Sequence, residues 1–166
     1  MSLKYWQRCA VWTLLLLCGL SASAAGVCLR VSAPTGLDAS AGAYVDVPVQ
    51  LGPLEGADNI LGYIVSLQFD TGALDFVELR DCIGGVTYGA SDWERSHILL
   101  GNELRVVASG ATPLTGQGCL FTARFRLSPA ALPASCSTVH FGAASAFGDG
   151  SLCLDLLDGT VCAACR

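Results

Sequence analysis

Beyond its first two dozen residues the chain is a series of short runs in which apolar and polar residues alternate, separated by Gly, Asn, Asp and Pro. Alternation is the period of half-buried β-strands, and no long stretch carries the 3.6-residue period of an amphipathic helix. Over 44–51, Val45, Val47, Val49 and Leu51 alternate with Tyr44, Asp46, Pro48 and Gln50, which predicts one buried and one wet face. Pro48 cannot donate to a ladder and marks an edge or a bulge. Over 62–70, Tyr63, Val65, Leu67 and Phe69 share one face while Ile64, Ser66 and Gln68 share the other. A further run covers 73–80. Beyond a loop holding Trp93, residues 97–100 and 104–109 form a candidate hairpin turning at Gly101-Asn102. Over 119–127, Cys119, Phe121, Ala123, Phe125 and Leu127 point inward, with Thr122, Arg124 and Arg126 outward. The last strands are expected over 138–147, 152–156 and 160–163, with turns at Asp149-Gly150 and Asp158-Gly159, and 28–32 supplies the first.

About nine short strands at this spacing predict an all-β fold, a nine-stranded antiparallel β-sandwich with jelly-roll topology. The one helical signal, over 128–132, amounts to a single turn ended by Pro133. No internal repeat or linker divides the chain.

The first residues change the picture of where this domain resides. Lys4 and Arg8 precede an apolar run from Cys9 to Leu20, and Ala22-Ser23-Ala24 supplies a small-residue cleavage pattern. Residues 1–24 are expected to be a signal peptide, since a run this short falls well below the ~20 residues of a membrane span. Residues 25–166 are then one exported domain. Charged residues make up 14% of the chain and apolar ones 52%, with a mean hydropathy of +0.54, which excludes a disordered chain. Past Lys4 there is no lysine, and beyond residue 24 seven arginines face fourteen Asp and Glu. So acidic a chain is a poor ligand for nucleic acid or for an anionic membrane surface.

Seven cysteines follow the leader, at positions 28, 82, 119, 136, 153, 162 and 165. In an exported chain six of them form three bridges and one is left over, with the connectivity open. The CxxC spacing of Cys162 and Cys165 lacks the βαβ pattern of a redox motif and the second CxxC of a zinc site, so it is read as structural.

The order and wording of the runs resemble a bacterial cohesin module. The resemblance is carried by AGAYVDVPVQL (Gly42, Val45, Val47, Pro48, Val49), GYIVSLQFDTGALDFVEL (Phe69-Asp70, then Leu74 and Phe76), GCLFTARFRL (Phe121 and Phe125) and SAFGDGSLCLDLLDGTV. It extends from about Val27 to Ala163. The resemblance implies a jelly roll acting as an adaptor, whose partner is a dockerin, a small helical module that carries its own calcium and belongs to a secreted polysaccharide-degrading protein. It also implies that the partner meets one flat sheet face formed by 62–68 and 104–109. By alternation the outward side chains there are Ile64, Ser66, Gln68, Arg105 and Val107. Cohesins commonly carry polar Asn and Asp on the first of these strands, where this chain has Gly62 and Ile64.

Other chemistry is weaker. His97 and His140, the only histidines, fall on predicted polar faces, and neither G-x-S-x-G nor H-E-x-x-H occurs. No catalytic residue and no cofactor is assigned. The two Asp-Gly pairs lack the alternating oxygen ligands of an EF-hand loop and read as hairpin turns. The alternative function is direct polysaccharide binding, which needs Tyr44, Tyr88 and Trp93 brought together as an exposed aromatic platform.

Overall fold

The computed structural model describes residues 28–54, 59–86 and 92–164. The expected leader, Tyr88 and Cys165 lie outside the described residues. Twelve strands form, in order β1 (Leu29–Ser32), β2 (Leu37–Ala39), β3 (Tyr44–Leu51), β4 (Gly62–Phe69), β5 (Leu74–Arg80), β6 (Trp93–Leu100), β7 (Glu103–Gly110), β8 (Gly118–Leu127), β9 (Cys136–Phe141), β10 (Ala146–Phe147), β11 (Leu154–Leu157) and β12 (Gly159–Ala163). The first sheet runs β11-β1-β3-β8-β5 and the second β2-β12-β9-β4-β7-β6, with β10 also on β4. The sandwich expected from the alternation is therefore present.

Its core is built from the residues the alternation turned inward. Val45, Val47, Val49, Phe121, Ala123 and Phe125 of the first sheet meet Tyr63, Val65, Leu67, Leu104 and Val106 of the second, all buried. Aromatic rings bridge the layers: Phe125 lies edge-on to Phe69 at 4.9 Å, and Tyr63 stacks against Phe121 at 6.5 Å. Burial pushes the Tyr63 phenol up to about 12, so it stays neutral. Next to Pro48 the β3–β8 ladder slips by one residue between Val49 and Gln50, and β1 meets β3 only at Gln50 and Leu51.

Three differences from the sequence expectation have physical causes. The run over 138–147 is broken into β9 and β10, because residues 142–145 leave the ladder. β2 is only three residues long, too short to show a period. The two sheets are mixed, not purely antiparallel, because β1 pairs in parallel with β11, and β2 with β12. The first and last strands thus cross side by side from one sheet to the other. Asp158-Gly159 is this crossing and not a hairpin turn, since β11 and β12 belong to different sheets. Glycine is needed there: a Cβ at position 159 would lie 2.7 Å from the Pro34 carbonyl oxygen and 2.8 Å from Ala33 Cβ. Asp149-Gly150 is likewise no hairpin turn. It is a loop in which Asp149 accepts hydrogen bonds from the Ser151 N–H and hydroxyl.

Disulfides join Cys28 to Cys153, Cys82 to Cys119 and Cys136 to Cys162. Cys162 is thus bonded across β9–β12 and not to the neighbouring Cys165.

Candidate partner-binding face

Antiparallel pairing of β4, β7 and β6 sets outward side chains in rows across the second sheet. Ile64 lies opposite Val107, which lies opposite Ser96. Ser66, Arg105 and Ile98 form the next row, and Gln68, Glu103 and Leu100 the third. Ile64, Val107, Ile98 and Leu100 are all exposed, at 37%, 41%, 53% and 44%, so four apolar side chains share this face. Few isolated surface side chains carry meaning, but four sharing one face form a patch.

A fixed ion pair interrupts the patch. Arg105 donates to Glu103 through Nε at 2.7 Å and Nη2 at 3.1 Å, and the Ser66 hydroxyl donates to the same carboxylate at 2.6 Å. The Arg105 guanidinium, and after it the Ser66 hydroxyl, hold the Glu103 carboxyl below its ordinary range, while Glu103 raises Arg105. The pair is neutral as a unit and geometrically locked.

Ser66 corrects the sequence expectation. It lies on the outer side of β4, as alternation requires, but it is wholly buried and presents nothing to a partner. The covering element is the excursion over 142–145, in which the Gly142 N–H donates to the Ser66 carbonyl at 2.8 Å and Ser145 Oγ accepts the Ser66 N–H at 3.1 Å. A Cβ on Gly142 would collide with the Ser66 Oγ, so only glycine allows the loop to seat this closely. Ser66 is a support for Glu103. Gln68 is exposed and lies opposite His140, whose Nδ1 pairs with Asp158 Oδ2 at 2.7 Å.

Ile98 and Leu100 were missed by the sequence reading, although their signal was available. A hairpin turning at Gly101-Asn102 places Leu100 beside Glu103 and Ile98 beside Arg105.

The structure does not bring Tyr44 and Trp93 together. Tyr44 is 60% exposed on the outer face of the first sheet, with the Arg124 guanidinium 5.8 Å from its ring centroid. Trp93 belongs to the second sheet. Its indole stacks on Tyr63 at 6.1 Å, donates its N–H to the Thr112 carbonyl at 3.0 Å and leaves no room for a Cβ at Gly110. Its ring and its N–H are thus engaged within the chain. His97 also departs from expectation: it pairs with Val106 on the inner side of β6 and meets Phe76 edge-on at 5.4 Å.

No protein-family model matches the chain, and no curated protein sequence does. Solved structures do. The third ScaC cohesin of Acetivibrio cellulolyticus, solved in complex with the ScaB dockerin, superposes with a TM-score of 0.69 at 17% identity, over 82% of this chain and 99% of that one. The chain has the fold of cohesin domains. The sixth cohesin of scaffoldin B from the same organism, in complex with a mutated Cel5 dockerin, gives 0.68 at 19% identity, over 81% and 98%. A non-cellulosomal cohesin from the hyperthermophilic archaeon Archaeoglobus fulgidus gives 0.67 at 18%, over 84% and 93%. The likeness therefore spans nearly the whole of each cohesin, with this chain's own apolar face on the shared scaffold.

Proposed function

We propose that this protein is an exported recognition module of the cohesin type. It binds a dockerin-type module of an extracellular polysaccharide-degrading protein, without catalysing a reaction. The observation that carries this reading is the open apolar face of Ile64, Val107, Ile98 and Leu100 on a fold shared with cohesins that were solved with dockerins bound. Ile64 and Val107 form the contact centre, Gln68 and the Arg105–Glu103 pair border it, and Ser66 acts from beneath. Three disulfides support residence in an oxidising compartment after the leader is removed. Calcium enters only with the partner.

The test is capture from the secreted proteins of its own host, with and without chelator, using the oxidised protein and its Ile64→Asp variant as parallel baits. The reading expects calcium-dependent capture of a protein that carries a dockerin, lost with Ile64→Asp. Retention on insoluble cellulose, xylan or chitin with no dockerin captured contradicts it and returns the function to polysaccharide binding.

A further inference from the structure

β6 is the outermost strand of the second sheet, eight residues long, and pairs with β7 without a register shift. An edge strand offers a row of unpaired N–H and C=O groups, which proteins normally guard with bulges, short length, proline or inward charges. The other edges of this molecule are guarded. β11 has four residues, β2 has three, and the β5 ladder carries a shift between Phe76 and Glu78. β6 is guarded only in its first half, where Arg95 is fastened to Asp81 and to the Leu120 carbonyl.

Its second half is apolar on both sides. Ile98 and Leu100 project outward at 53% and 44% exposure, while Leu99, opposite Leu104, projects toward the other sheet and is still 46% exposed. Docking of a partner onto the outer face covers Ile98 and Leu100 but leaves Leu99 in water. Only an added strand covers both sides of an edge at once.

We infer that residues 96–100 of β6 pair antiparallel with the same residues of a second copy of this chain, joining two second sheets edge to edge. The second copy is favoured because the segment is self-complementary. Ser96, His97, Ile98, Leu99 and Leu100 contain no carboxylate and no lysine or arginine, so no like charges of Asp, Glu, Lys or Arg oppose each other across the two-fold axis. The pairing buries Ile98 and Leu100 of both copies on one face and Leu99 of both on the other. The contact is small, well below ~1,200 Å² of buried surface, so the dimer is weak and depends on concentration.

The experiment is sedimentation equilibrium on the oxidised protein as exported, carrying Cys165→Ser to remove intermolecular bridging, at concentrations from micromolar to about one millimolar. A monomer–dimer equilibrium is expected, with association at least tenfold weaker in Ile98→Lys and in Leu99→Lys and unchanged in Ile64→Asp, two strands away. A monomer at every concentration overturns the inference. So does a dimer that survives Leu99→Lys but is lost in Ile64→Asp, because that dimer packs face to face. A protein that stays monomeric and binds an added extended peptide at this edge equally contradicts self-pairing.

Discussion

The outer faces of the two sheets have opposite characters. On the first sheet, Asp46, Arg124, Glu78 and Arg80 close a ring of alternating charge. Arg124 binds Asp46 at 2.7 and 2.8 Å and Glu78 at 3.5 Å, while Arg80 reaches Glu78 at 3.1 Å and Asp46 at 3.6 Å. Arg30 and Asp155 pair on the same sheet at 3.0 Å. Each of these charges finds its partner within the chain. On β4, β7 and β6 the outer face of the second sheet carries the Arg105–Glu103 pair amid apolar side chains that the described residues leave exposed. The described covalent staples spare the strands of the apolar face. Two of the described disulfides, Cys28–Cys153 and Cys82–Cys119, belong to the first sheet, and the third joins β9 to β12. Among the described residues β4, β7 and β6 carry none. One outer face is thus closed on itself by ion pairs, and the other, over β4, β7 and β6, is left open by the described residues. The proposed reading assigns recognition to the open face.

That division makes separable predictions. The largest effect should come from the Cys28–Cys153 bridge, which closes a loop of 125 residues. Replacing both cysteines by serine should lower the urea-unfolding free energy by about 4–5 kcal/mol while leaving partner affinity unchanged in the protein that remains folded. Lost affinity at full folding would show that the stapled sheet takes part in recognition. Next comes the seat of the apolar face. Gly142→Ala drives a methyl group into the Ser66 hydroxyl and should cost about 1–3 kcal/mol. Ser66→Ala in the same chain should recover part of that loss, whereas strict additivity would mean that the two residues do not press on each other.

The smallest effect concerns the charge ring. Hydrogen bonding from the Arg124 guanidinium holds the Asp46 carboxyl below its ordinary value of 3.8. A carboxylate with a lowered folded-state pKa stabilises the fold at pH values above its unfolded pKa and loses that contribution as pH falls through the folded one. Asp46→Asn should therefore cost at most about 1 kcal/mol at pH 6, as exposed pairs do, and the gap from wild type should close on acidification below about pH 4. Unfolding midpoints at pH 6, 4 and 3 decide this. A gap that persists at the lowest pH would assign the effect to side-chain packing.

Where alternation is strict and both neighbours are strands, the sequence was legible. β3 appears with the predicted bounds, and the Tyr63, Val65, Leu67, Phe69 face of β4 is buried. Legibility failed where a distant segment decides the outcome. Ser66 obeys its alternation but is covered by residues 142–145, which no local pattern reveals. Leu99 and His97 take the inward side of β6 yet stay exposed, because the edge strand escapes full cover by the other sheet. The parallel pairs β1–β11 and β2–β12 join the two ends of the chain, and sequence separation hid them. The outward positions of β4 and β7 followed from alternation, and the proposed extension of the face onto β6 required the register of the hairpin.

The central claim is that the open face of the second sheet, and not the charge ring of the first, binds the partner. Its most direct test is the affinity of the captured dockerin-bearing partner, measured by calorimetry against the wild-type protein, Ile64→Asp and Asp46→Lys, with unfolding curves for all three. The account predicts at least a hundredfold loss for Ile64→Asp and an unchanged dissociation constant for Asp46→Lys. Unchanged affinity in Ile64→Asp, or a loss confined to Asp46→Lys, would contradict it.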